Sequence, residues 1–91
     1  MGTIQQAVLC DSAKLVISFE RYSKEIKFYD HDLNFKEKQK VPLKKPGFVT
    51  SVAYDEKNMI FAVASSDQCL HFYQKGKLRI DYLKSMVADV I

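Results

Sequence analysis

Apolar and polar residues alternate over short segments of this chain, and each segment ends at a group of polar turn residues. The segments IQQAVLC, LVISFE and EIKFYD are separated by the turns DSAK and RYSK. Short alternating strands joined by polar turns indicate an antiparallel meander. In LVISFE, the apolar residues Leu15, Ile17 and Phe19 share one face of the predicted strand. The pattern therefore predicts an all-β fold.

The same pattern occurs a second time in the chain. Residues 4–29 align without a gap with residues 48–73, which lie 44 positions later. In this alignment Phe28 corresponds to Phe72 and Tyr29 to Tyr73. A fourth strand is expected after each third strand, in FKEKQKVPL and in KLRIDYLK. The repeat therefore predicts two units, each a four-stranded antiparallel meander.

The repeat divides the chain into three parts. Residues 1–47 form the first unit, residues 48–85 the second, and residues 86–91 the predicted first strand of a third. The C-terminal segment has a rival interpretation, because Leu78, Tyr82 and Met86 recur every four residues, as they would on an amphipathic helix. The sequence leaves strand and helix open there.

Composition narrows the class of protein further. A net charge of +3, with 47% hydrophobic and 27% charged residues, is ordinary for a globular domain and does not demand a nucleic-acid partner. The longest apolar run, MIFAVA, is far shorter than the roughly 20 residues of a membrane helix, so no membrane association is expected. Cys10 and Cys69 are far apart and not equivalent in the repeat. Reduced thiols, and hence a cytoplasmic location, are expected.

The residues that commonly carry catalysis are scattered. His31 falls in a predicted turn, and His71 lies on a strand without neighbouring metal-ligand residues at motif spacing. Three glycines form no phosphate-binding loop, and no Ser or Cys has a base at motif spacing. Each histidine is interpreted as solvent-facing or hydrogen-bonded within the fold. The sequence therefore predicts no enzymatic activity, no catalytic residue, no cofactor and no metal.

The segment SSDQCLHFYQ resembles the third-strand ending of WD repeats, whose blades are four-stranded meanders. Asp67 takes the place of the turn Asp, Phe72 that of an inward apolar residue and Tyr73 that of the Trp. In the first copy, Phe28 and Tyr29 fill the last two places. The resemblance covers nearly the whole chain, but neither copy contains the Trp or the preceding Gly-His pair.

The resemblance implies a β-propeller, which closes with about four to eight blades. Two blades leave apolar faces uncovered. We therefore expect a divergent two-blade part of an incomplete propeller, either a fragment of a longer protein or one completed by other protein chains. On its own it should not be a stable monomer.

A basic loop face is the candidate for partner binding. In WD-repeat proteins the loops between second and third strands and between blades often hold partners. Here those loops carry Arg21, Lys24, Lys44 and Lys45. These charges either bind an acidic protein surface or only keep the surface soluble.

Three functions of different classes follow. The first is a non-enzymatic scaffold or protein-interaction module, a WD-repeat propeller part of a larger assembly such as a cytoskeletal or ciliary structure. The alternative is binding of nucleic acid or an anionic surface through the basic loop face; nucleic acid is disfavoured because the lysines lack interleaved exposed aromatic residues. The third is a propeller enzyme whose catalytic residues lie outside this sequence.

Overall fold

The computed structural model describes residues 3–87, and these form β-strands and turns without a helix. The eight strands are β1 (Ile4–Cys10), β2 (Leu15–Glu20), β3 (Glu25–Asp30), β4 (Phe35–Lys40), β5 (Val49–Asp55), β6 (Ile60–Ser65), β7 (Cys69–Lys75) and β8 (Ile80–Val87). Strands β1 to β4 form the first sheet and β5 to β8 the second, each in sequential order with antiparallel pairing. The all-β fold of two four-stranded meanders is therefore confirmed.

The C-terminal segment is a strand within the described residues. Strand β8 runs from Ile80 to Val87 and pairs with β7, with Leu70 opposite Met86 and Cys69 opposite Val87. The helical interpretation is therefore wrong here, since cross-strand pairing overrides the four-residue apolar spacing. Met86 and Val87 also belong to the second sheet, which corrects the predicted boundary at residue 85. Residues 88–91 of the predicted third repeat lie outside the described residues.

The two sheets are structural repeats, but the gap-free alignment is wrong for the first two strands. A β-bulge between Ile4 and Gln6 in the first sheet corresponds to one between Val49 and Ser51 in the second. Ile4 and Val49 are therefore equivalent, and their separation in the chain is one residue greater than the 44 positions of the sequence alignment. The reason is the turn after the second strand, which contains four residues (21–24) in the first sheet and three (66–68) in the second.

The third strands keep the spacing that the sequence alignment predicted. A bulge lies between Phe28 and Tyr29 in the first sheet and between Phe72 and Tyr73 in the second. Because side chains alternate along a strand, the one-residue difference moves β6 side chains to the other face of the sheet. Ala62, rather than Phe61, takes the place of Ile17.

The core lies between the two sheets. We call the side of the first sheet that faces the second its front face, and the side of the second sheet that faces the first its back face. The rings of Phe28 on the front face and Phe61 on the back face pack edge to face, with centroids 5.1 Å apart. Other buried core residues are Ile17, Phe19 and Ile26 on the front face, and Val52, Val63 and Tyr73 on the back face.

The other two sheet faces have no sheet against them in the part of the chain that the structure describes. On the front face of the second sheet, Ala62, Leu70 and Phe72 are half-buried and Met86 is 47% exposed. On the back face of the first sheet, Leu9 is 59% exposed and Phe35 54% exposed. We call these surfaces the open front face and the open back face.

Phe28 and Phe72 occupy equivalent positions in different environments, so truncating them should cost different amounts. Phe28→Ala should lower the free energy of unfolding by about 3–5 kcal/mol, because Phe28 is completely buried between the sheets. Phe72→Ala should cost clearly less, because its ring is half-buried on the open front face. Urea unfolding of both variants measures the difference, at protein concentrations low enough for the chain to be monomeric. Equal losses would contradict the assignment of the two rings to covered and uncovered faces.

Candidate functional site

Three loop segments meet at one end of the two sheets, which we call the loop end. They are the β2–β3 turn, the connection between β4 and β5, and the β6–β7 turn. The Val49 amide donates to the Ser23 carbonyl at 2.8 Å, and the Ser66 amide donates to the Phe48 carbonyl at 2.8 Å. These backbone bonds hold the connection between both turns, so its backbone has a defined position.

Lysines surround an open concavity at the loop end. Lys24, Lys44 and Lys45, three of the four predicted binding residues, line a space of about 580 Å³. Lys40 at the end of β4 joins them, a residue that the sequence analysis counted only as part of a strand. The remaining lining residues are apolar: Val41, Pro42, Leu43 and Pro46. We call this site the basic concavity; four cations and no carboxylate line it.

Arg21, the fourth predicted residue, also lies at the loop end but does not line the basic concavity. It lines a different concavity with Tyr22 and Phe48, and its guanidinium lies 4.9 Å from the centroid of the Tyr22 ring. Tyr22 in turn packs edge to face on Phe48, with ring centroids 5.1 Å apart. The structure therefore separates Arg21 from the three lysines with which the sequence analysis grouped it.

Asp67 fixes the backbone beside the basic concavity. Its Oδ2 accepts a hydrogen bond from the Lys44 amide at 2.9 Å, and its Oδ1 accepts from the Ser65 hydroxyl and from the Cys69 amide. Burial raises the pKa of Asp67, but these hydrogen bonds outweigh it and lower the pKa to about 2. The carboxylate is therefore charged, and it braces the β6–β7 turn as it positions Lys44.

His71 belongs to a buried polar network that the sequence analysis did not find. Its Nε2 lies 2.9 Å from the Ser65 hydroxyl, which also bonds Asp67, and its Nδ1 lies 2.6 Å from the Ser85 hydroxyl. Tyr82 completes the network at 2.6 Å from Ser85. His71 is fully buried, and burial lowers its pKa against the opposing charge of Asp67. The ring is therefore neutral at physiological pH.

The network is suited to stabilising the second sheet. Its imidazole has no exposed surface, so a substrate cannot approach the ring nitrogens. The Asp67 carboxylate bonds Ser65 rather than the imidazole, which differs from the orienting role of a catalytic carboxylate. The spacing of Ser65, Asp67 and His71 along the chain was visible in the sequence, but their convergence depends on the shortened β6–β7 turn.

The first sheet carries a different pair at the equivalent positions. Glu20 and Lys27 take the places of Ser65 and His71 and form an ion pair at 2.7 Å. Both side chains are 30% exposed, because they lie on the open back face. A charged pair is tolerated where water reaches it, whereas the covered back face of the second sheet carries neutral partners.

In each repeated Phe-Tyr pair, the Phe lies on the front face of its sheet and the Tyr lies on the back face. Phe28 is buried between the sheets, and Tyr29 is half-buried on the open back face. Tyr73 is 1% exposed on the covered back face, and burial raises its pKa to about 12. Its hydroxyl has no hydrogen-bond partner among the described residues. Tyr73 therefore packs in the core without a hydrogen bond from its hydroxyl to another described residue.

Two other kinds of site are absent from residues 3–87. No group of three or more potential metal-ligating side chains occurs within that range. The same range contains no helix of the length and apolarity needed to cross a membrane. Both cysteines there are buried free thiols, and burial raises the pKa of Cys10 to about 12, so its thiol is unreactive.

Comparison with known proteins leaves the family open. No protein-family model matches the chain, and no curated protein matches its sequence. The resemblance to WD repeats therefore stays a hypothesis about this chain.

The buried histidine should make stability depend on pH. Because its folded pKa lies below the unfolded value of about 6.5, the unfolded state binds more protons as the pH falls. The stability from this group is present above that value and should be lost as the pH falls below it, by at most about 1.4 kcal/mol per pH unit.

Substituting each of the two histidines shows how much His71 contributes to the pH dependence of the free energy of unfolding. His71→Gln should be less stable at pH 7.5 and should lose the His71 part of the pH dependence, since Gln does not titrate. His31→Gln, in the exposed β3–β4 turn, is the matched control and should keep the wild-type slope. Urea unfolding at several pH values measures this. A wild-type slope retained in His71→Gln would contradict the neutral buried assignment.

Proposed function

We propose that this chain is a non-enzymatic protein-interaction module, with its two sheets acting as WD-repeat propeller blades in a larger assembly. The observation that carries the proposal is the basic concavity, where Lys24, Lys40, Lys44 and Lys45 surround an apolar floor. The partner it fits is an acidic, extended protein segment. The activity is binding, and the assembly is cytoplasmic, in a cytoskeletal or ciliary structure.

Charge favours an acidic partner. The four lysines are exposed, and the lining contains no carboxylate to neutralise them. Like charges held close together attract an anionic segment by long-range steering, and most of this attraction is screened at high salt. The rigid connection reduces the entropy cost of binding, because Asp67 already fixes the backbone at Lys44.

The apolar floor favours a protein segment over a nucleic acid. Val41 is 2% exposed and Leu43 is packed against the core, so these two residues anchor the apolar part of the lining to the fold. The two prolines and the aliphatic parts of the lysine side chains extend this apolar surface. No aromatic side chain lines the basic concavity, and aromatic stacking platforms are the usual feature of single-strand binding. An extended peptide with acidic side chains and a few apolar ones matches both parts of this surface.

The larger assembly is supported by the open faces. Each sheet has one face packed on its neighbour and one face with partly exposed apolar residues. Exposed apolar faces of this kind are covered in propellers by the next blade. Other protein chains or further blades are the proposed cover.

The test is the binding of a fluorescent glutamate-rich peptide, followed by anisotropy at low and moderate salt. Replacing Lys24, Lys40, Lys44 and Lys45 with Ser should weaken binding at low salt by at least about tenfold and flatten its salt dependence. The matched control replaces Lys14, Lys36, Lys57 and Lys77, which lie outside the basic concavity and change the net charge equally. It should bind almost as well as the wild type.

Two further binding measurements distinguish peptide binding at the basic concavity from nucleic-acid binding and from a solely solubilising role of the lysines. Arg21→Ser should leave the affinity unchanged, because Arg21 lines a different concavity. A duplex DNA probe should bind weakly and equally to both quadruple variants. Tight DNA binding lost only in the concavity variant would favour the alternative of nucleic-acid binding. Equal peptide binding by both variants would reduce the lysines to solubilising charges.

A further inference from the structure

We infer that the open front face of one copy of this chain packs on the open back face of a second copy, so that copies assemble head to tail. The inference shares with the proposed function only the view that the sheets are propeller-type blades. Assembly and peptide binding involve different surfaces, so either can fail without the other.

The interface inside the chain is the template for the interface between copies. Its central contact is Phe28 of β3 on Phe61 of β6, with ring centroids 5.1 Å apart. By the structural equivalence of the sheets, Phe72 takes the place of Phe28 on the open front face. Val16 takes the place of Phe61 on the open back face. A large ring on one face therefore meets a smaller apolar residue on the other.

The backs of the two sheets share a local shape. The bulge in the first sheet brings Tyr29 against Phe35, with ring centroids 5.8 Å apart. The equivalent bulge in the second sheet brings Tyr73 against Tyr82, with centroids 5.5 Å apart. The open back face therefore repeats the aromatic pair of the back face that is already packed. This repetition is what makes a second copy the fitting occupant.

Charged residues of the outer strands are predicted to pair between copies. The acidic and basic partners are exchanged relative to the contact inside the chain. Inside the chain, Glu37 of β4 accepts a hydrogen bond from the Ile80 amide at 2.7 Å, and Lys77 and Arg79 of the β7–β8 turn line the same cavity. Glu37 pairs with Phe28, as Lys84 pairs with Phe72. The equivalent turn of the first sheet carries Asp32. Between copies, Lys84 therefore faces an acidic turn.

The inner strands show a second complementary pair. Inside the chain, the Ser12 amide donates to the Glu56 carboxylate at 2.9 Å, which joins the first turns of the two sheets. Lys57 is the structural equivalent of Ser12, and Asp11 that of Glu56. Between copies, Lys57 therefore meets Asp11. Two oppositely charged pairs fix the register of the contact.

Head-to-tail contacts of this kind generate closed rings when the rotation closes. Each copy supplies two sheets, and propellers close with about four to eight of them, so about two to four copies complete a ring. Closure covers the apolar part of both open faces of every copy, around Phe72 and Val16. The expected product is a discrete oligomer rather than a filament.

Charge exchange across the predicted contact tests the inference by sedimentation velocity. Wild type should sediment as a closed oligomer. A front variant (Lys57→Asp, Lys84→Asp) and a back variant (Asp11→Lys, Asp32→Lys) should each sediment as a monomer, because like charges then meet. These side chains are exposed, so both variants should keep the β-sheet circular dichroism spectrum of the wild type. A charge-matched control, Lys44→Asp with Lys45→Asp at the loop end, should remain assembled.

Mixing the two monomeric variants is the decisive arm. Front and back variants have complementary faces, so an equimolar mixture should recover the oligomer. A face-to-face dimer through two open front faces would instead leave the back variant assembled on its own, because its front face is that of the wild type. A wild type that stays monomeric at high concentration, an oligomer insensitive to the front and back variants, or a mixture that stays monomeric would each overturn the inference.

Discussion

The packing of one sheet's front face on the other's back face is the interaction on which the rest of the structure depends. A four-stranded meander of this size buries too little surface to be stable alone. Contact between Phe28 and Phe61 brings the two meanders into one core. A backbone bond between the β2–β3 turn and Val49 also joins the two meanders, and it holds the end of the connection that carries Lys44 and Lys45.

Each sheet is covered by the other sheet on just one of its faces. This difference explains why equivalent positions of the two sheets have side chains of different charge. Glu20 and Lys27 form an ion pair where water reaches them, and Ser65 and His71 form a neutral pair where the first sheet covers them. The cost of burying charge accounts for the difference. The same constraint makes His71 a titratable group whose protonation opposes folding, so that acid should weaken the core from within the second sheet.

Much of the fold could be predicted from alternation and turn residues, because both are local. The alternation of apolar side chains in LVISFE predicts strand β2. The repeated Phe-Tyr pair corresponds to equivalent bulges in β3 and β7. The missing residue in the β6–β7 turn could not be seen, since a gap-free alignment of low identity scores as well. That single deletion sends Phe61 to the back face and brings Ser65 and His71 together. Lys40 was missed because its role depends on how the connection folds back beside β4.

The packing of the sheets is tested most directly by nuclear Overhauser effects between aromatic ring protons of the isotope-labelled protein. Contacts between Phe28 and Phe61 should be strong, because their ring centroids lie 5.1 Å apart. Tyr54 should show contacts with the same Phe61 ring, at 4.8 Å between centroids. Within one chain, Phe28 should show none to Phe72, which lies on the far face of the second sheet. Phe28–Phe72 contacts without Phe28–Phe61 contacts would contradict the register and the front-on-back packing.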